Sequence, residues 1–181
     1  APFPRTPEEI RRHIAAYYAM ITHADAQMGQ VMEALEAAGR PENTIIVFAG
    51  DNGLALGQHG LMGKQNLYDH SVRVPLIMSG PGIPQDKRSD AHCYLLDIYP
   101  PLCELLDVAV PDSVEGQSLM PAMRQGSRLR DTIFFAYKEY QRCVRGERHK
   151  LIEYVVEGER TTQLFDIQED PEQYHNLAHR R

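Results

Sequence analysis

Asp51, Asn52, His59 and Lys64 stand in one glycine-punctuated stretch, GDNGLALGQHGLMGK from Gly50 to Lys64. Together they bring a carboxylate, an amide, an imidazole and an ammonium to the end of an apolar run. Asp and Asn oxygens are hard donors that suit Ca²⁺ or Mg²⁺ and do not suit a soft metal. They are only two, whereas calcium takes roughly six to eight oxygens, so other residues must complete any such site. An ammonium offers a tetrahedral oxyanion three donors and a point charge. His59 can orient a bound group or supply a proton. Each also has a plainer reading: Asp-Asn-Gly is a tight-turn sequence, a lysine is ordinarily solvated, and a loop histidine can bond to backbone. The length and glycine content of the loop favour function, because the next candidate strand begins only near Val74.

The elements around this loop follow from pattern. Thr44-Ile45-Ile46-Val47-Phe48 reads as a buried strand leading into it, and strand ends are where α/β proteins place their chemistry. Ahead of it, Thr6-Pro7-Glu8-Glu9 is a helix start with Thr6 as N-cap and Glu9 placed for a capping box. Ile10, Ile14, Tyr17, Tyr18, Ile21, Met28, Val31, Met32 and Leu35 then keep a helical period up to Gly39 and Pro41, with room for a break near His23–Asp25. Val74–Met78 reads as a second strand, Asp97 to about Asp107 as a helix, and Pro111–Gln125 as a loop. Beyond Gln125 the pattern changes to short strands, Thr132–Tyr137, Tyr140–Arg145, His149–Val155 and Thr161–Phe165, with turns at Arg145-Gly146-Glu147 and Glu157-Gly158-Glu159. Residues 1–125 are thus expected to end an α/β domain, and residues 126–181 to form a small antiparallel subdomain.

Bulk properties narrow the function. The chain has 181 residues, 43% hydrophobic and 24% charged, with a net charge of −6. That charge lies before residue 126, after which Lys/Arg and Asp/Glu balance. No basic face emerges, so nucleic acid is not an expected partner, and no apolar run is long enough to span a bilayer. Cys93, Cys103 and Cys143 form no metal or disulfide spacing and read as buried or free thiols. His13 and His23 read as packing residues on the face of the long helix, and His70, His92, His149, His175 and His179 share no metal spacing. The opening APFPRTPEEI carries no leader pattern and looks like the interior of a longer chain, which leaves the compartment open.

These residues resemble the sulfatases of the alkaline phosphatase superfamily. Tyr17-Tyr18-Ala19, Asp25, Met28-Gly29 and Leu35-Glu36 are similar to that family's helix before its metal strand. Asn43 through Gly53 resembles the metal strand and turn, Gly57-Gln58-His59-Gly60 with Gly63-Lys64 the sulfate-binding loop, and Arg73-Val74-Pro75-Leu76-Ile77 with Gly80-Pro81-Gly82 the next strand. Asp97-Ile98-Tyr99-Pro100, Glu115-Gly116-Gln117-Ser118-Leu119, Leu164-Phe165-Asp166-Ile167, Asp170-Pro171-Glu172 and Asn176-Leu177-Ala178 complete the order. The resemblance implies the C-terminal part of an alkaline-phosphatase-like mixed-sheet α/β domain, followed by a small antiparallel β subdomain with a helix. It implies a sulfuric ester hydrolase in which Asp51 and Asn52 bind Ca²⁺ and Lys64 grips the sulfate, with His59 as a second substrate-binding and catalytic group.

One part of the family pattern is missing. A formylglycine nucleophile is made within Cys/Ser-x-Pro/Ala-x-Arg, and no cysteine or serine here begins that motif: Cys93 leads into Tyr-Leu-Leu, Cys103 into Glu-Leu-Leu and Cys143 into Val-Arg-Gly. The nucleophile and an early acidic pair of ligands are expected upstream, and the segment alone is expected to be inactive. A parallel sheet lacking most of its strands would leave its edge and the long helix uncovered. The chain is therefore expected to associate with the missing N-terminal part, to oligomerise, or to be the ordered remnant of a longer polypeptide. A metal-dependent phosphate or phosphonate ester hydrolase of the same superfamily is the alternative reading, and a non-catalytic α/β binding module the third.

Overall fold

The computed structural model describes residues 5–178; Ala1–Pro4 and His179 lie outside them. Helix α1 runs Pro7–Ala37 without a break at His23–Asp25. The Thr6 hydroxyl accepts the Glu9 amide at 3.3 Å, which is half of the expected capping box. The Glu9 carboxylate turns instead to Arg12 and His13, at 3.4 and 3.2 Å. None of the side chains of α1 is buried. Tyr18 and Val31 are 64% and 69% exposed, and Ile21, Met28 and Met32 also face outward, so its apolar stripe is largely uncovered between Tyr18 and Met32 among the described residues.

Strand β1, Ile46–Ala49, ends at the glycine-rich loop. It is not the buried strand its composition suggests: Ile46 and Val47 are half-buried, and Phe48 and Ala49 are exposed. Within this chain its neighbour is β4, Leu76–Ser79, in an antiparallel register that sets Val47 against Met78. A parallel pairing would need a long crossover. Residues 50–75 instead hold the two-residue strands β2 (Ala55–Leu56) and β3 (Met62–Gly63), paired with each other, a 3-10 turn over Gln58–Gly60 and the one-turn helix α2 (Asp69–Val72).

After β4 come α3 (Tyr99–Leu105) and α4 (Met120–Gln125). The latter lies where Pro111–Gln125 reads as loop: Pro121 occupies its first turn, where a missing N–H costs nothing, and Gly126 ends it with φ of 68°. A 3-10 turn over Leu95–Ile98 precedes α3, so Asp97 is not on a helix face. It is fully buried, and its carboxylate accepts from both Arg130 nitrogens at 2.6 and 2.8 Å and from the amides of Tyr94 and Gln117 at 2.7 Å. Gly116 packs so tightly here that a Cβ would lie 2.2 Å from the Leu96 carbonyl oxygen. The Asp97 and Gly116 segments are thus two halves of one joint.

The C-terminal part is an antiparallel sheet in the order β5-β6-β7-β8: Ile133–Tyr137, Gln141–Arg145, His149–Val156 and Glu159–Asp166. Its helix, α4, comes immediately before it, and turns follow β8. The inward positions Cys143, Ile152 and Phe165 pack with Leu67, Tyr68 and Ile167, so the core of this sheet includes residues of the loop that follows Lys64. Both outer edges are met by side chains. The Tyr94 hydroxyl bonds the amide and carbonyl of Phe134 at 2.6 and 3.0 Å. Asn176 accepts from the Leu164 amide at 2.9 Å and donates to the Thr162 carbonyl at 3.2 Å. Cys93, Cys103 and Cys143 are free thiols.

Candidate active site

The ladder between β1 and β4 extends one step further, with the Gly50 amide donating to the Pro75 carbonyl at 3.2 Å. Asp51 follows, exposed, with one carboxylate oxygen taking the Asn52 amide at 2.8 Å. The Asn52 side chain donates to the Gly53 carbonyl at 3.1 Å, and its oxygen accepts from Lys64 Nζ at 2.6 Å. Asp51, Asn52 and Lys64 are therefore brought together, although Lys64 sits beyond the β2–β3 hairpin. The Asp-Asn-Gly turn joins no two adjacent strands. The Gly53 amide crosses to the Ser71 carbonyl at 2.8 Å, and a Cβ at Gly53 would lie 2.0 Å from the His70 carbonyl oxygen. Glycine is required here by the close approach of two backbones. The loop also leans on α1: a Cβ at Gly57 would meet the Ile10 side chain at 2.9 Å, and Arg5 donates to the Gly60 carbonyl.

His59 takes a left-handed conformation, φ 53°. Its contacts go to the C-terminal part and to the α2 segment rather than to Asp51, Asn52 or Lys64. Nε2 lies 3.0 Å from the Glu172 carbonyl oxygen. Since that oxygen can only accept, the bond requires Nε2 to carry the proton. The ring stacks on Tyr68, 3.9 Å between centroids and 9° between planes, and lies 5.0 Å from the Tyr174 ring and 5.8 Å from that of His70.

Burial, then the charges of His59 and Lys150, lower the His70 pKa from 6.5 to about 4. The folded state thus resists a proton that the unfolded chain accepts. Stability associated with His70 is present above pH 6.5 and is lost as pH falls toward 4. Thermal unfolding followed from pH 7 to 5 is expected to show a falling midpoint, and His70→Asn to flatten that slope. An equal slope in the variant would place the titration elsewhere.

Three charged residues in contact with this region escape sequence inspection. Asp69, at the start of α2, accepts from Lys150 Nζ at 2.7 Å and from Arg145. Burial pushes its carboxyl up, but Lys150 and Arg145 together outweigh that and hold it below its ordinary value. Lys150 is fully buried. The alternation of β7 carries the signal: Lys150, Ile152 and Tyr154 share one face, so a lysine stands in an inward row.

Among the described residues no group of three His, Cys, Asp or Glu could hold a metal ion. The donor set nevertheless fits part of a hard-cation site. The Asp51 carboxylate keeps free lone pairs, and the Asn52 oxygen has a second one beyond its bond to Lys64. The two described cavities, of about 530 and 310 Å³, lie beside β4, α4 and Arg88–Cys93, and neither Asp51, Asn52, His59 nor Lys64 lines them.

Comparison with known proteins bears on this arrangement. The family model described as "Sulfatase" matches residues 2–108, and that described as "N-sulphoglucosamine sulphohydrolase, C-terminal" matches residues 57–181. The chain is 32% identical to arylsulfatase K of Gallus gallus over 190 residues, covering 96% of this chain and 35% of the relative. It thus spans about a third of the length of such curated relatives. A solved structure of a protein with its substrate D-glucosamine-2-N,6-O-disulfate matches with a TM-score of 0.86 at 26% identity, over 95% of this chain and 37% of the other. The phosphonate monoester hydrolase of Agrobacterium radiobacter matches with a TM-score of 0.82 at 28% identity, over 97% and 39%.

Proposed function

Because this chain belongs to the sulfatase family, as a portion matching its C-terminal model, we propose that the complete protein hydrolyses sulfate esters and that these residues form one wall of its active site. The observation that carries this reading is the contact of Lys64 Nζ with the Asn52 oxygen at 2.6 Å, beside Asp51. That bond occupies one of three ammonium donors and leaves two for a ligand. They suit a sulfate oxygen and the oxygen that bridges to the alcohol, where charge develops as the S–O bond breaks. Asp51 and Asn52 are the residues that would hold Ca²⁺, which supplies Lewis-acid stabilisation and orientation of the ester when bound. His59, whose Nε2 proton is engaged by the Glu172 carbonyl, is proposed as a substrate-binding group that orients the ester from the rim. The nucleophile of this reading is a formylglycine lying outside these 181 residues. The alcohol is a sugar or an aryl group.

Removing one hard ligand tests the metal assignment. Asp51→Ala in the complete protein is expected to weaken Ca²⁺ binding at least tenfold, read by calorimetric titration. Unchanged affinity would return Asp51-Asn52-Gly53 to the status of a turn and favour a non-catalytic module. The similarity to a phosphonate monoester hydrolase gives the second reading weight, and turnover of paired sulfate and phosphonate esters by the complete protein separates the two.

The uncovered stripe of α1 and the exposed Phe48 and Ile77 support a further part of the proposal: these surfaces are covered by the N-terminal part of the same protein, or by a second copy. Size exclusion of the 181-residue chain is expected to show association or self-assembly, whereas a stable monomer of 20.6 kDa would count against it.

A further inference from the structure

We propose that the triad of buried Lys150 with the half-buried Asp69 and Arg145 is the device by which the C-terminal sheet sets the position of the Asn52–Lys64 pair. Asp69 and Lys150 are then positioning residues of the sulfate-ester site, an inference that rests on the reading of that site given above. The connection can be followed bond by bond. Lys150 on β7 and Arg145 on β6 hold the Asp69 carboxylate from two strands. Asp69 opens α2, whose Ser71 carbonyl receives the Gly53 amide. The Gly53 carbonyl takes the Asn52 side-chain amide, and the Asn52 oxygen takes Lys64. On the other side of the loop, Gln141 of β6 donates to the Gln65 carbonyl at 3.3 Å, one residue past Lys64. The backbone that follows Lys64 is thus pinned to the sheet at two points, Gln65 and Asp69, and the Asn52–Lys64 bond lies next to the first of them.

Stability alone is a poor account of this triad. A fully buried ammonium carries a desolvation cost that a well-packed apolar side chain would avoid, and Ile152 fills the next inward position of the same strand with no such cost. What a charged triad supplies and an apolar contact does not is direction. The carboxylate fixes the rotation of α2 about its axis, and with it the Ser71 carbonyl on which the Gly53 amide depends. Misplacement of about 1 Å at a reacting centre is enough to cost on the order of 10²-fold in rate.

The test uses the complete protein with Asp69→Asn and with the double change Asp69→Asn/Lys150→Met, the second removing the ammonium that the first leaves unpaired. Amide exchange of Gly53, measured relative to the amides of the β6–β7 ladder, is expected to rise at least roughly tenfold in both variants. The kcat for a sulfate ester is expected to fall by on the order of 10²-fold, even where the double variant regains thermal stability. The proposal is overturned if Gly53 and the ladder accelerate together, or if the double variant recovers wild-type kcat along with its stability. A wild-type protein with no turnover of sulfate esters, but with Gly53 exchange uncoupled from the ladder in the variants, would sink the functional reading while supporting the mechanical link.

Discussion

Lys64→Ala in the complete protein is expected to lower kcat for a sulfate ester by about 10²–10³-fold, the range typical of losing one donor aimed at a developing oxyanion. The expectation rests on geometry. Lys64 Nζ is held 2.6 Å from the Asn52 oxygen beside Asp51, with two donors left for a sulfate. Arginine should rescue poorly, because a planar fork that bonds Asn52 cannot present its remaining donors in the same direction. Steady-state kinetics decides the matter: a fall in kcat with little change in KM marks an interaction made in the transition state. A variant with near wild-type kcat would reduce Lys64 to a surface lysine that happens to meet Asn52.

The largest expected effect on stability lies at Asp97. Asp97→Asn is expected to lower the unfolding free energy by about 3–5 kcal/mol, the range for breaking a buried pair by removing one partner. The carboxylate is fully buried and accepts four hydrogen bonds, from Arg130 twice and from the amides of Tyr94 and Gln117. An asparagine must turn an NH₂ group toward at least one of those donors, and it leaves the Arg130 charge unanswered. Burial raises the Asp97 pKa, but Arg130 and the two amides prevail and hold it below 3.8. Its stabilising contribution is therefore complete above that value and fades as pH falls through the lower folded pKa. Urea unfolding at pH 7 measures the first effect. A loss under about 1 kcal/mol would mean that water reaches Arg130 in the variant.

Much of the fold was legible because its signals are local. Glycine turns at Gly146 and Gly158 mark off the last three strands, Thr6 and Pro7 open α1, and the apolar run ahead of Gly50 locates β1. The grouping of Asp51, Asn52 and Lys64 was legible for the same reason, since one loop carries all three. Other features depend on partners distant in sequence. Hydrophobicity marks Phe48 and Ile77 as material for burial without saying that this chain leaves them exposed. Pro121 reads as loop, although the first turn of a helix accepts it. Asp69 and Lys150 meet across 81 positions, and only the inward row of β7 hints that Lys150 is internal. The stacking of His59 on Tyr68 depends on the left-handed backbone at His59, which its residue type does not announce.

The side chains at the outer edges of the C-terminal sheet have a consequence for solubility. An open edge strand is a row of unpaired amides and carbonyls on which another molecule's strand can grow, the usual first step toward fibrous aggregates. Here the Tyr94 hydroxyl engages both backbone groups of Phe134 on β5, and the Asn176 carboxamide stands in for a peptide unit beside Leu164 and Thr162 on β8. At those points an incoming strand finds its hydrogen-bonding positions already taken. This four-stranded sheet is thereby guarded against recruiting a fifth strand from a neighbour.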